Sequence, residues 1–229
     1  DYIDPMFHSR IIGAKSANLD LHFFSENTLR YLLAKNGEGC EVSVIEGAMG
    51  YYDGAGLTSW KTSAYEIARL TETPVVLVVN ARGAALSVLA VIEGFLRFQP
   101  ESGIRGVILN QCTAMTYASL SAAIEERFGI RCYGFLPKLD ECAIESRHLG
   151  LKTAAEIGDL QRKIAVLADA LEKTLDWERF RQGFDAPAPA ARETPQCKPR
   201  VRIAVAQDEA FCFYYEDNLR MLRENGVTI

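Results

Sequence analysis

Four short runs, at 42–45, 74–79, 106–109 and 132–136, are built almost entirely from Val, Ile, Leu and other apolar residues, and they limit what this chain can fold into. Each is apolar along its length rather than at alternate positions, which predicts strands covered on both faces, as in a parallel sheet. Between them, apolar residues recur at three- and four-residue steps through 62–72, 86–98 and 117–128, the spacing of helices. Strand and helix alternate, so the expected architecture is α/β with a doubly wound, mostly parallel sheet. At 229 residues, 48% of them hydrophobic and 24% charged, the chain has enough material for a substantial core.

A longer helical segment is expected over 153–175, where Ile157, Leu160, Ile164, Leu167, Ala168 and Leu171 form an apolar stripe. Residues 184–200 hold four prolines and several alanines and predict an extended linker. Beyond it, a strand-like run at 201–206 and a helical pattern at 214–225 predict the beginning of a second α/β unit, with a further strand starting after Gly226. The expected organisation is therefore a domain over 1–183, a linker over 184–200 and a second domain beginning at 201–229. Both ends read as interrupted, and the expectation is a chain cut from a longer protein.

A formal charge of −5 and a pI near 5.4 argue against general nucleic-acid binding, which needs clustered Lys and Arg to displace counterions. Cysteines stand at 40, 112, 132, 142, 197 and 212, never as C-x-x-C, so neither a zinc knuckle nor a disulfide framework follows. Buried reduced thiols in a cytoplasmic protein are expected for Cys112 and Cys132. No run approaches the roughly 20 apolar residues that span a bilayer, and no membrane association is expected.

The chemistry centres on the segment from Val42 to Gly54, V-S-V-I-E-G-A-M-G-Y-Y-D-G. A strand that ends in a carboxylate and enters a glycine-rich loop places an acid at the carboxyl edge of the sheet, where open α/β domains bind ligands. Glu46 is thus a candidate Mg2+ ligand, with Asp53 or Asp4 as a second, since a strongly hydrated cation bridging phosphates takes one or two carboxylates. The same acids also fit the capping of a strand and a turn, and residue chemistry alone leaves both readings open.

Five segments in order carry a family resemblance: D-Y-I-D-P-M-F-H at 1–8, Glu46 to Gly54, V-V-L-V-V-N-A-R-G at 75–83, G-V-I-L-N at 106–110, and R-H-L-G-L at 147–151. Together they resemble the cobyrinic acid a,c-diamide synthase family, and residues 202–225 are similar to the start of its class I glutamine amidotransferase-like domain. The resemblance implies a P-loop NTPase-like synthetase domain of the dethiobiotin-synthetase kind, followed by a glutaminase. It implies an enzyme of corrin biosynthesis that activates the a and c carboxylates of a corrinoid polycarboxylate with ATP and Mg2+, then amidates them with glutamine-derived ammonia.

By the same resemblance, Glu46 and Asp4 are metal-side acids, Asp1 and Asp53 lie near the reacting centre, Tyr2 and Ile3 face the substrate, and Asn110 binds the adenine ring. An amide suits that last role because it both donates and accepts; a strand-end turn is the alternative for Asn110. Asn80 stands where family members often have Asp. His148 and Arg82 are weaker candidates for substrate contacts, and Lys61 and Arg69 read as solvated charges. No G-x-x-x-x-G-K-[ST] loop occurs, and Cys212 lies too early to be the glutaminase nucleophile. The expectation is that these residues alone neither hydrolyse glutamine nor turn over ATP efficiently. Related tetrapyrroles (hydrogenobyrinic acid, nickel-sirohydrochlorin) and a non-amidating nucleotide switch are the alternatives, and the oligomeric state is left open.

Overall fold

The computed structural model describes residues 4–5, 8–143, 159–184, 201–208, 211 and 213–229. In chain order the regular elements are α1 (Glu26–Gly37), α2 (Ala64–Thr71), β1 (Val75–Asn80), α3 (Ser87–Arg97), β2 (Ile104–Asn110), α4 (Ala114–Phe128), β3 (Arg131–Leu136), α5 (Leu160–Thr174), α6 (Trp177–Gln182), β4 (Val201–Arg202), α7 (Glu216–Glu224) and β5 (Val227–Thr228). They fall into two compact units, one of Ile45–Glu145 with Asp159–Pro187, the other of Asp1–Val44, Ser146–Gly158 and Ala188–Ile229.

The first unit holds a parallel sheet in the order β1-β2-β3. Leu77 and Val79 of β1, with Val107 and Leu109 of β2, pack against Val88, Leu89 and Ile92 of α3 and Leu120 and Ile124 of α4. The helix ends follow from local chemistry. Ser63 and Thr113 are N-caps whose hydroxyls accept the Glu66 and Thr116 N–H groups, and Gly129, at φ +66°, ends α4 in the left-handed conformation. Glu125 of α4 accepts the Cys132 N–H at 3.0 Å and pairs with Arg179 at 3.0 Å. Burial pushes its carboxyl up, but the Cys132 N–H and the Arg179 guanidinium outweigh that and hold it below the usual range.

The three strand-like runs after residue 74 form β1 to β3, and the doubly wound parallel α/β reading is borne out. The structure differs from this expectation at two places. Residues 42–45 carry no strand, and Val42 and Val44 are 77% and 87% exposed. On β1, Leu77 and Val79 are buried while Val78 is 62% exposed, so this strand is covered on one face only. Apolar side chains favour a sheet, but a strand completes its backbone hydrogen bonds only through a neighbour, and among the described residues no strand pairs with 42–45 or with the outer edge of β1. The helix expected over 153–175 is described from Leu160 onward; residues 144–158 and the expected linker, from 185, lie outside the described residues. Cys112 and Cys132 are buried free thiols, as expected, and burial is the main cause that pushes the Cys132 thiol up to about 12.

In the second unit, α1 buries Leu29, Leu32 and Ala34 behind an N-cap at Ser25. β4 and β5 pair in parallel through Val201↔Val227 and Arg202↔Thr228 on either side of α7. A strand–helix–strand order thus runs through 201–228, in the same compact unit as α1.

Candidate functional site

The loop that follows Ile45 is shaped by two glycines and a cluster of aromatic rings. The Asp53 N–H donates to Gly50 O at 2.9 Å, and a Cβ at Gly50 would collide with the Asp53 carboxylate, so only glycine allows that acid to fold back over the turn. Gly54 N–H donates to Ser59 O at 3.1 Å and Ala55 N–H to Lys61 O at 2.8 Å, and a Cβ at Gly54 would strike the Lys61 carbonyl. The acid turn is thereby closed on itself through its own backbone.

Three phenols fasten this turn and the start of α2 to the end of α3 and its connection to β2. Tyr51 donates to Ser102 O at 2.5 Å, Tyr52 to Phe95 O at 2.6 Å and Tyr65 to Pro100 O at 2.9 Å. The Tyr51 and Tyr52 centroids lie 4.8 Å apart, and Tyr52 stacks on Phe95 at 5.9 Å. Burial, then the neighbouring Tyr65, pushes Tyr52 up to about 12, and burial likewise raises Tyr51. Both therefore stay protonated donors across the ordinary pH range.

Asn80 and Asn110 stand side by side at the carboxyl ends of β1 and β2. Each side chain turns its own chain: Asn80 Oδ1 accepts the Arg82 N–H at 3.1 Å and Asn110 Oδ1 accepts the Gln111 N–H at 2.9 Å. That geometry realises the strand-end turn for Asn110, whose Nδ2 group remains a donor of the kind a base edge accepts. Gln111 was not singled out by the sequence. It holds a left-handed backbone at φ 55° and a buried Oε1 without a hydrogen-bond partner, and both are commoner at ligand sites than elsewhere. No local sequence pattern signals either feature.

Glu46 and Asp53 are exposed, and they share a unit with Asn110; Asp4 belongs to the other unit. Asp1, Tyr2, Ile3 and His148 lie outside the described residues. Among the described residues, no three of His, Cys, Asp and Glu come together as a metal-holding set. No helix among them is long and apolar enough to cross a membrane.

The AAA domain family matches residues 18–146, more than half of the chain. This chain belongs to that family. The AAA-domain match takes in Glu46, Asp53 and Asn110, whereas β4, α7 and β5 lie beyond it. The chain is also similar over its whole length to proteins named cobyrinate a,c-diamide synthase. It is 38% identical to that of Listeria monocytogenes serotype 4b, covering 52% of the relative, and 39% identical to that of Gloeobacter violaceus, covering 51%. The synthase of Fusobacterium nucleatum is 35% identical, with 54% of its length covered. The chain spans about half the length of these curated relatives. The family resemblance carried by the five sequence segments is thus borne out along the full chain. No solved structure matches it.

Proposed function

We propose that these residues are part of an ATP- and glutamine-dependent amidoligase that converts the a and c carboxylates of cobyrinic acid into amides. The observation that carries this reading is the similarity to cobyrinate a,c-diamide synthases from end to end of the chain, acid loop included. In this reading residues 1–183 form the synthetase domain, 184–200 the linker and 201–229 the start of the amidotransferase-like domain.

A carboxylate is a poor acyl donor because its leaving group would be an oxide. An oxygen of the substrate carboxylate attacks the γ-phosphorus of ATP, ADP leaves, and an acyl phosphate results. Ammonia then attacks the acyl carbon, the carbon–oxygen bond to phosphate breaks, inorganic phosphate leaves, and the nitrogen loses a proton. Carboxylate oxygens are the hard donors a Mg2+ ion takes, and it needs only one or two of them beside water and phosphate, so exposed Glu46 fits; Asp4 is assigned to the metal on the sequence resemblance alone. When bound, the ion would offset charge gathered on the transferring phosphoryl.

Asp53, held over Gly50, and Asp1 would orient the reacting carboxylate. Tyr2 and Ile3 would select which side chain reacts, and Asn110 would present its amide to the adenine edge. The test is incubation of the full-length protein with cobyrinic acid, MgATP and glutamine, followed by mass spectrometry. Two successive exchanges of hydroxyl for amine, each requiring ATP, are expected. A product only from hydrogenobyrinic acid or nickel-sirohydrochlorin would move the substrate, and ATP hydrolysis without any amide would overturn the reading.

A further inference from the structure

The last turn of α1 and the first two turns of α7 are joined by a polar network between residues 181 and 184 positions apart in sequence. Asn36 Nδ2 donates to both carboxylate oxygens of Asp217, at 3.1 and 3.3 Å, and Asn36 Oδ1 accepts from Arg220 Nη1 at 2.5 Å. Arg220 also pairs directly with Asp217 and approaches Glu224 at 4.0 Å. The Asp217 and Arg220 side chains keep only 15% and 21% exposure, so the bonds are charge-assisted and largely out of water.

The side-chain amide of Asn36 offers donors to the carboxylate and an acceptor to the guanidinium without adding charge, so it completes the ion pair from both sides. An aspartate there would face Asp217 with like charge, and an apolar residue would leave two shielded charges short of partners.

α1 lies within the AAA-domain match and α7 lies beyond it. We propose that Asn36, Asp217 and Arg220 form a latch that fixes the second α/β segment onto α1 and keeps delivery of glutamine-derived ammonia coupled to carboxylate activation. The coupling part rests on the amidoligase reading. The latch is specific in its chemistry and local in its contacts. Its loss uncouples the two reactions without touching the groups assigned to metal, nucleotide or substrate.

The experiment compares full-length parent, Asn36→Asp and Asn36→Gln proteins with glutamine or ammonium ion as nitrogen source. For Asn36→Asp, glutamine-supported amidation falls about tenfold, the factor for one charge-assisted hydrogen bond, while ammonium-supported amidation stays within about twofold of the parent. Asn36→Gln retains donor and acceptor and recovers part of the loss. Equal retention of both activities, or their equal loss, overturns the coupling. A parent that forms amide from neither source refutes the amidoligase reading instead. In that event the latch is judged in the 229-residue chain by hydrogen exchange over α7. Exchange about tenfold faster in Asn36→Asp supports the latch, and unchanged exchange overturns it.

Discussion

A Glu46→Gln substitution in the full-length protein is expected to lower kcat for amidation by on the order of a hundredfold to a thousandfold, the range for removing one preorganised electrostatic partner of a transition state. The two side chains have nearly the same shape, so the change removes a negative charge and little else. Because Glu46 is exposed, little packing is lost with the change. Hydrolysis of glutamine, which uses none of this loop, is expected to continue, and more Mg2+ is expected to be needed for the residual activity. Steady-state assays across a Mg2+ series check both effects. Retention of kcat within about twofold would remove Glu46 from the metal-side role.

Gly134→Val is expected to be strongly destabilising. Gly134 lies in the middle of β3 and bridges to Leu175, and the next backbone bond runs from Asp176 N–H to Tyr133 O at 2.8 Å. A Cβ on Gly134 would collide with the Thr174 carbonyl oxygen and come within 2.8 Å of Leu175 Cα, both backbone atoms that cannot swing aside. The α5–α6 connection would have to lift from the sheet, an overpacking effect of about 3 kcal/mol, which lowers Tm by roughly 6–12 °C. Gly129→Ala is the matched control. It has open space around its Cβ and only a left-handed backbone to strain, so about 1 kcal/mol is expected. Thermal unfolding followed by circular dichroism separates the two, and similar melting of both variants would contradict the packing account.

What the sequence makes legible here depends on whether burial is decided locally. β1 to β3 and the helices between them carry their signal within a dozen residues, because one covered face suffices to set the period. Residues 42–45 carry the same signal and form no strand, since pairing depends on a neighbour that composition does not reveal. α1 was missed although Ser25 caps it and Leu29 and Leu32 mark its inner face, because only those few apolar positions stand out in a polar stretch.

The acid turn was legible as a motif. Its anchoring by Tyr51, Tyr52 and Tyr65 was not, since the accepting carbonyls at Phe95, Pro100 and Ser102 lie 35 to 51 residues away. The Asn36–Asp217–Arg220 network was hidden for the same reason at greater distance. Asn110 was visible as a strand end, whereas the left-handed backbone of Gln111 follows from no residue type.

The central claim is that carboxylate activation proceeds through an acyl phosphate in a protein that contains these residues. Cobyrinic acid labelled with oxygen-18 in its carboxylates, incubated with the full-length protein, MgATP and ammonium ion, tests it most directly. One labelled oxygen is predicted in the inorganic phosphate for each amide formed, because the oxygen that attacks the γ-phosphorus leaves with it. Amide formation with unlabelled phosphate, or phosphate release with no label and no amide, would contradict the account.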